Sequence, residues 1–481
     1  MKPNLILCAL SAAATLAACS LAPVYKTPVT AAPAVSYKEV AGWKPAQPAD
    51  TLPRGPWWNI FHDAQLDSLE AQVTTSNQNL KAAFARLQQA RAQMRYVRAS
   101  YLPTVTAGAG ASRTRTSTNA PQYSTVKPPT QNDFMLESDV SYEVDVFGRV
   151  RNSVAAARAT AEASAADLAV VDLSMHSELA LDYFTLRTED TQQSLLDRTV
   201  IDYTRALELT RNLYNGGAVP LADVAQAQAQ LETARTQAED VRLRRAQTEH
   251  AIAVLVDQQA SAFHLDPQPL LPDMTPPAVD AGLPSQLLER RPDVAGAERR
   301  VVSANASIGV ARAAYFPVFN LTGVVGYDST QSASWIDAPS ALWSLGSSAV
   351  MTLFDGGRRH AETDQARAAY DEQVANYRTT VTTAYSEVED WLAALRQLER
   401  ESKSEAAAVA ATATELDQAN YRYKAGAATY LEVVIAENAS LAAQLSAADI
   451  QVRRMNACVL LVKALGGRWE NPTPAASLAA R

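Results

Sequence analysis

The sequence is poor in the residues on which most enzymes and disulfide-bonded proteins depend. Of its 481 residues, 5 are histidine and 3 are cysteine. No pair of histidines has the spacing of metal ligands, and no CxxC, HExxH or phosphate-loop lysine motif occurs. The cysteines, Cys8, Cys19 and Cys458, do not form a disulfide framework. We therefore expect that the protein is not an enzyme and that it holds neither a metal ion nor a soluble cofactor.

Positive charge is also scarce. The 51 acidic residues outnumber the 43 lysines and arginines, which gives a formal net charge of -8. Nucleic-acid-binding domains are usually basic, and many place lysine or arginine beside aromatic residues. The sequence contains no basic patch of that kind, which argues against a nucleic-acid partner.

Glycine and proline are missing from four long stretches. The chain has 24 prolines, but none lies in residues 149–215, 221–266, 358–425 or 427–465. These stretches are rich in alanine, leucine, glutamate, arginine and glutamine, which favour helices. At ~1.5 Å per residue, the first stretch alone predicts a helix on the order of 100 Å long. A short glycine-containing turn separates the first stretch from the second, and another separates the third from the fourth. The sequence therefore predicts two antiparallel helical hairpins, 149–266 and 358–465.

Residues 134–146 alternate strictly, so successive side chains lie on two opposite faces of a predicted strand. One face carries Phe134, Leu136, Val140, Tyr142, Val144 and Val146. The other carries the four acids Glu137, Asp139, Glu143 and Asp145. A strand of a membrane barrel requires this pattern, because lipid covers one face and water covers the other. We therefore predict that these acids give a barrel lumen a negative charge.

The first 18 residues predict an export signal, since one cation precedes an apolar stretch of signal-peptide length. Leu16 to Cys19 reads LAAC, a lipobox in which Cys19 receives a diacylglyceryl group and an N-acyl chain after cleavage. An ordinary cleavage site with a chance cysteine is the alternative. Ser20 follows in place of aspartate, which indicates sorting to the outer membrane. Residues 19–56 are rich in proline and predict an extended, lipidated tether.

The chain repeats itself after about 210 residues. RASYLPTVTAGAG near residue 98 recurs as RAAYFPVFNLTGVVG near 312, and YNGGAVPLADVAQAQAQL near 214 recurs as YKAGAATYLEVVIAENASL near 423. Each repeat is predicted to contain a helix, two strands and a long helical hairpin. Repeat 1 covers residues 57–270, with strands at about 103–116 and 134–147. Repeat 2 covers residues 271–470, with strands at about 317–328 and 342–354, and a tail follows at 471–481.

Four membrane strands do not close a barrel. Open edges in lipid leave backbone groups unsatisfied at several kcal/mol each, and known single-chain barrels begin at about eight strands. The long, alanine-rich helices also need lateral neighbours on both sides. The sequence therefore predicts a hollow oligomer, in which a short β-barrel in the outer membrane continues as a long α-helical tube in the periplasm.

The sequence resembles the outer-membrane factor family, the lipoprotein exit ducts of tripartite efflux pumps. The segments that carry the resemblance are RPDVAGAERRVVSANASIGVARAAYFPVFNLTGVVG at 291–326, LFDGGRR at 353–359, the two glycine-tipped hairpins and the WWNIF opening. The resemblance covers nearly all of the mature chain.

This resemblance implies an α+β membrane protein that works as a homotrimer. Three copies of four strands would form a 12-strand outer-membrane β-barrel, and the helices would form a tapered periplasmic barrel closed at its far end by the hairpin tips. The implied partners are a periplasmic adaptor protein and an inner-membrane pump of the resistance-nodulation-division type. The implied function is passive conduction of drugs or other small toxic compounds to the exterior.

The resemblance also places the periplasmic aperture at the hairpin ends. Matching by motif gives Asp223 in the first hairpin, and Tyr423, Leu431 and Glu432 in the second. Where the family often has an aspartate, this sequence has Ile435, with Glu437 two residues further on. Either Ile435 forms a hydrophobic constriction or Glu432 and Glu437 form an acidic ring, unless these glutamates are only solvated charges on a helix face.

The turn glycines suit a left-handed residue where one helix stops and the next begins. Gly217 and Gly426 are these residues, and we expect the tips around them to contact the adaptor; simple helix capping is the alternative reading. Two other functions stay open for the whole chain. One is a duct for type I protein secretion, and the other is a coiled-coil structural lipoprotein without a pore.

Overall fold

The computed structural model describes residues 20–30, 36–37, 40–41, 55–119, 130–270, 274–277, 279 and 290–467. The predicted signal peptide, Cys19 and the predicted tail at 471–481 lie outside these residues, as does most of the predicted tether. Two short strands, β1 (Ser36–Tyr37) and β2 (Val40–Ala41), pair within the tether.

The remaining elements follow the predicted order of helix, two strands and helical hairpin in both repeats, except that two helices, and not one, precede the strands of repeat 1. The first set is α1 (Ala64–Ser76), α2 (Gln78–Arg98), β3 (Thr104–Arg115), β4 (Thr130–Val144), α3 (Arg149–Asn215) and α4 (Leu221–Leu255). The second set is α5 (Pro292–Ala313), β5 (Val318–Ser329), β6 (Ala341–Val350), α6 (Arg358–Lys424) and α7 (Tyr430–Ala464). The two longest helices, α3 and α6, have 67 residues each. None of the helices among the described residues is long and apolar enough to cross a membrane.

The chain divides into two compact units. The sheet unit comprises Met1–Val29, Arg86–Ala165 and Gly296–Arg378, and the hairpin unit comprises Thr30–Ala85, Ala166–Ala295 and Thr379–Arg481. Each unit takes segments from both sequence repeats, so the repeats are not the compact units of the structure. The physical reason in the sheet unit is strand pairing, because β4 of the first repeat hydrogen-bonds to β5 of the second.

The sheet unit is built on one antiparallel sheet in the order β3-β4-β5-β6. Leu136 pairs with Tyr327, and Val325 pairs with Trp343, so the apolar residues of neighbouring strands share one face. Glu137 and Asp139 lie on the opposite face, where they pair with Gly326 and Val324. The predicted separation into an apolar and a polar face is therefore confirmed for the strands.

Two strand ends differ from the prediction. β4 ends at Val144 because the Asp145 carboxylate leaves the strand and accepts hydrogen bonds from the backbone N–H groups of Val150 (3.0 Å) and Arg151 (2.8 Å). These are free donors at the start of α3, where a negative charge is favourable. The prediction that Asp145 belongs to the acid face of the strand is therefore wrong. β6 ends at Val350, so the predicted extension to 354 is also wrong.

The hairpin unit contains most of both helical hairpins and the principal apolar core. Helix α1 packs on α3, and the core contains the following buried side chains: Trp57, Phe61, Leu66, Leu69, Val73, Leu179, Tyr183, Phe184, Leu186, Ile252, Met455 and Val459. Cys458 is a buried free thiol in the same core. The buried residues of α1, Leu66, Leu69 and Val73, recur at helical spacing and therefore form one face of the helix.

Helix α4 ends at Leu255, whereas the absence of glycine and proline predicted a helix to 266. Asp257 takes a left-handed conformation with φ of 58°, which aspartate tolerates better than most residues. Gln258 N–H then bonds back to the Ala253 carbonyl (2.9 Å), and Asn77 Nδ2 donates to the Leu255 carbonyl (2.8 Å). The helix end is thus capped by residues that do not stand out as breakers in the sequence.

Candidate functional site at the hairpin ends

Both helical hairpins end in the same turn. Gly217 has φ of 73° and Gly426 has φ of 72°, so each is the left-handed residue predicted at its helix end. Each turn closes with two backbone bonds, such as Gly217 N–H to Tyr214 O (2.9 Å) and Ala218 N–H to Leu213 O (2.8 Å). This pairing satisfies carbonyls at the helix end. A Cβ at either glycine would meet nothing within 4 Å, so the backbone angle alone demands glycine.

Behind the turns, the two hairpins pack through one apolar and aromatic cluster. Its buried members are Tyr203, Leu207, Ala227, Leu231, Ala234, Tyr430 and Val434. Tyr423 packs against this cluster, with its ring centroid 5.7 Å from that of Tyr430. The cluster therefore joins α3 and α4 of one hairpin to α6 and α7 of the other, close to the turns.

Asp223 lies in the first turn of α4, where the helix dipole favours an acid, and it is half-buried. Burial raises the pKa of Tyr423, and the nearby charge of Asp223 raises it further. Of the predicted aperture residues, the structure thus brings Asp223 and Tyr423 together across the two hairpins. Tyr430, which the sequence did not single out, completes this contact and its pKa is raised by burial.

Glu432 has local partners. Thr429 and Glu432 form a capping box at the start of α7, and the Thr429 backbone N–H donates to Glu432 Oε1 (3.1 Å). Glu432 Oε2 also lies 3.3 Å from Arg422 Nη1. Both charges are largely solvent-exposed, so this ion pair contributes no more than about 1 kcal/mol. In a single copy, Glu432 holds the turn together.

Glu437 is half-buried, and its Oε2 has no hydrogen-bond partner in the described part of the chain. Burial, together with the negative charge of Asp202, raises the pKa of Glu437 to about 7. Burial and the charge of Glu437 together raise the pKa of Tyr203 to about 12. Glu437 therefore belongs to the packed side of α7.

Ile435 and Leu431 lie one helical turn apart and are exposed, Ile435 to 56%. Leu221, at the start of α4, is exposed as well and was missed from the sequence. Ile435 and Glu437 therefore lie on different sides of α7, because residues two positions apart on a helix point in widely different directions. The exposed side is apolar at Ile435, and the acid Glu437 is turned into the cluster.

The four predicted lumen acids divide into two groups. Glu137 and Asp139 lie in the middle of β4. Glu143 is paired with Arg149, whose Nε donates to Glu143 Oε1 (2.7 Å), and Asp145 is paired with Arg151 at 3.1 Å. Two of the four predicted negative charges are thus balanced by arginines of the same chain.

The segment of residues 20–29 lies along helices of the sheet unit. Ser20 Oγ donates to Asn152 Oδ1 (3.1 Å), and Asn305 Nδ2 donates to the Pro23 carbonyl (2.9 Å). A Cβ at Gly309 would come within 2.8 Å of Ala22 Cβ, so glycine is needed for this close approach. The segment next to Cys19 is therefore held in place one turn after the start of α3.

Comparison with known proteins finds similar chains over almost the whole length. The family model described as outer membrane efflux protein matches residues 69–256 and 283–467. The outer membrane protein OprJ of Pseudomonas aeruginosa is 34% identical over 482 residues, which cover 98% of this chain and 97% of OprJ. The toluene efflux pump outer membrane protein TtgC of Pseudomonas putida is 31% identical over 460 residues, with 95% and 94% covered. The crystal structure of the Campylobacter jejuni CmeC outer membrane channel superposes with a TM-score of 0.84 at 25% identity, covering 94% of this chain and 96% of CmeC.

Proposed function

The chain belongs to the outer membrane efflux protein family, and from this membership we propose how it assembles, where it is anchored and what it conducts. It is the exit channel of a tripartite efflux system in the outer membrane. The family consists of channels, and we propose that this protein conducts passively, carrying drugs or other small toxic compounds that an inner-membrane pump delivers.

We propose that three copies form one channel. The observation that carries this proposal is the open sheet, whose outer strands β3 and β6 each have a partner on one side only among the described residues. Its apolar face is exposed in one copy, with Val105, Val325, Trp343 and Leu345 all accessible. Membrane strands need closed edges and a lipid-covered apolar face, and three copies would supply 12 strands. The 67-residue helices would then continue the barrel as a helical tube.

We propose that a diacylglyceryl group and an N-acyl chain on Cys19 anchor each copy. The lipobox supports this proposal, and so does the position of Ser20, which is bonded to the first turn of α3 directly after strand β4. Residue 19 would therefore enter the membrane beside the end of the sheet. Several acyl chains, at roughly 0.8 kcal/mol per buried methylene, give stable anchoring.

The hairpin ends are proposed as both the adaptor contact and the aperture. The two turns at Gly217 and Gly426 have the same geometry, so a trimer would present six equivalent tips to a periplasmic adaptor protein. Exposed Leu431 and Ile435 favour an apolar constriction over an acidic ring, because Glu432 is paired and Glu437 is turned inward. A resistance-nodulation-division-type pump is the proposed inner-membrane partner.

Native mass spectrometry of the protein extracted from outer membranes tests the assembly and the anchor together. We expect trimers of chains that begin at Cys19 and carry the acyl mass. A Cys19→Ala variant should form trimers without that mass. A stable monomer would overturn the proposed channel, and a trimer without lipid on the native cysteine would overturn the anchor alone.

A further inference from the structure

Positive charge occupies one place on the sheet. In the strands β3 to β6, lysine and arginine occur only as Arg113 and Arg115, both near the end of β3. This end of the sheet lies opposite the end from which the helices start, because β3 follows α2 and β4 leads into α3. Both arginines are exposed, and neither forms an ion pair with another residue that the structure describes.

The two arginines lie on the apolar face of the sheet. Side chains of a strand alternate between faces, and Arg113 is two positions beyond Ala111, which pairs with Phe134 on the apolar face. All the acids of the four strands lie on the opposite face, namely Asp133, Glu137, Asp139, Glu143 and Asp328. The sheet therefore separates its charges, with arginine on one face and acid on the other.

In the proposed barrel, the apolar face meets lipid, where an arginine is costly at the bilayer centre and tolerated near the headgroups. From Val144 to Phe134, β4 spans 10 positions (144 minus 134). At about 3.4 Å per residue and a tilt of about 40°, these positions cover about 26 Å of depth, close to the apolar band of about 25 Å in membrane barrels. Phe134 lies beside Trp335, with ring centroids 5.9 Å apart, and aromatic residues mark the edge of that band.

Arg113 and Arg115 lie just beyond that edge. By the same rise and tilt, they are about 5 Å and about 10 Å further out than Ala111, which pairs with Phe134. At this depth the outer leaflet of a bacterial outer membrane carries the phosphate groups of its glycolipid, lipid A. The two arginines are about 7 Å apart along the strand, so both guanidinium groups reach one headgroup.

We propose that Arg113 and Arg115 bind the phosphate groups of an outer-leaflet lipid A molecule on the outside of the barrel. This inference rests on the proposed channel and names a lipid that its outer surface recognises. A guanidinium group suits phosphate, because its planar N–H groups donate two parallel hydrogen bonds to phosphate oxygens. The arginines face away from the predicted lumen acids, so a conducted compound does not meet them.

Native mass spectrometry of the full-length trimer, extracted from outer membranes and stripped of bound lipid in detergent, tests the site. The probes are lipid A with its phosphate groups and the same lipid after their removal. The test variant is Arg113→Gln with Arg115→Gln. The matched control is Arg91→Gln with Arg95→Gln, which removes two exposed arginines of α2 and therefore the same amount of charge.

We expect the native trimer and the control to bind the phosphorylated lipid about tenfold or more tightly than the phosphate-free lipid, since each arginine at a membrane surface favours anionic lipid. The test variant should lose most of this preference. If the test variant does not assemble, Arg113→Gln and Arg115→Gln should each lose part of the preference when they are measured singly.

Native trimers without the preference, or trimers of the test variant that retain it, would overturn the lipid site and leave the proposed channel standing. An equal loss in the control would mean a general attraction by charge and would overturn the site as well. Displacement of the lipid by inorganic phosphate would overturn it in favour of a site for the free ion. Native protein that is monomeric would overturn the channel and the lipid site together.

Discussion

The buried pair of Glu70 and His176 offers the sharpest test of how the hairpin unit is held together. His176 Nδ1 lies 2.5 Å from Glu70 Oε2, and the side chains are only 4% and 0% exposed. The other ring nitrogen lies 3.6 Å from Asp172, and the Trp58 ring stacks on the imidazole at 4.5 Å. Burial opposes a charge on His176, but its hydrogen bonds to Asp172 and Glu70 outweigh burial and raise its pKa to about 9. Burial raises the pKa of Glu70 to about 7, so between about pH 7 and pH 9 the two side chains join α1 to α3 as a buried ion pair.

Removal of one partner should cost far more than removal of both. His176→Leu leaves the Glu70 carboxylate buried without a cation, which costs about 3–5 kcal/mol in comparable sites. Glu70→Leu leaves the imidazolium without its closest acid and should cost a similar amount. The double variant replaces both charges with apolar groups, and such replacements are often close to neutral. The two single costs should therefore not add.

Hydrogen exchange of the full-length protein measures these costs in α1. A loss of about 3–5 kcal/mol should accelerate exchange of residues 64–76 by roughly 10²- to 10³-fold or more in each single variant, since 1.4 kcal/mol is about tenfold. His360→Leu is the matched control, because the pair of His360 with Asp364 is exposed and contributes about 1 kcal/mol or less. The reasoning would be refuted if the exchange rates of residues 64–76 were unchanged in the single variants. It would also be refuted if these residues exchanged as fast in the double variant as in either single variant.

The same pair sets a pH dependence with a definite sign, because the pKa values of both groups are raised in the folded state, that of Glu70 by burial to about 7. The pKa of His176 in the folded protein, about 9, lies above the unfolded value near ~6.5, so protonation stabilises the folded state. This contribution is fully present below about pH 6.5 and is lost as the pH rises toward about 9. Protection of α1, corrected for intrinsic exchange rates, should fall across this range in the native protein and stay level in the double variant.

Three further perturbations have defined outcomes. Gly217→Ala forces alanine into a left-handed conformation, so the free energy of opening the first hairpin turn, measured by hydrogen exchange, should fall by about 1–2 kcal/mol. Gly216→Ala is the control and should be nearly neutral, because Gly216 has no positive φ. Equal effects of the two substitutions would contradict this reasoning. Because burial and Asp202 raise the pKa of Glu437 to about 7, protection of the first turns of α7 should fall as the pH rises from about 4.5 to 7. Glu437→Gln should abolish that fall, and its persistence would place the titrating group elsewhere. Gly309→Leu should displace residues 20–29, because even a Cβ lies 2.8 Å from Ala22, and trypsin should then cut faster after Lys26.

Much of the architecture could be predicted because it depends on local pattern. Alternation along β4 and β5 places Leu136 and Tyr327 on one face, and the structure pairs them there. Residues 149–215 contain no glycine or proline, which predicts a helix over the whole stretch. The structure has this helix from Arg149 to Asn215. Gly217 and Gly426 are left-handed as predicted, because a positive φ excludes most other residues.

The errors arise where a side chain acts on a distant or unexpected backbone group. Asp145 leaves the strand pattern because its carboxylate binds the free N–H groups of α3. Helix α4 stops early because Asp257 adopts a conformation that glycine would normally signal. The alternation of a strand and the composition of a helix do not reveal a cap of this kind. Asp145 fits the alternation of β4, and Asp257 lies in a stretch that contains no glycine or proline.

The sequence by itself determined the elements, their order, their duplication and the apolar face of the sheet, because each follows from the spacing of residues along one segment. Only the tertiary structure decided which charges are paired, since Glu70 meets His176 from 106 positions away. It also decided that Glu437 is turned into a cluster while Ile435 is exposed. Burial and the partners of a charge depend on neighbouring helices, and no periodicity within one helix contains that information.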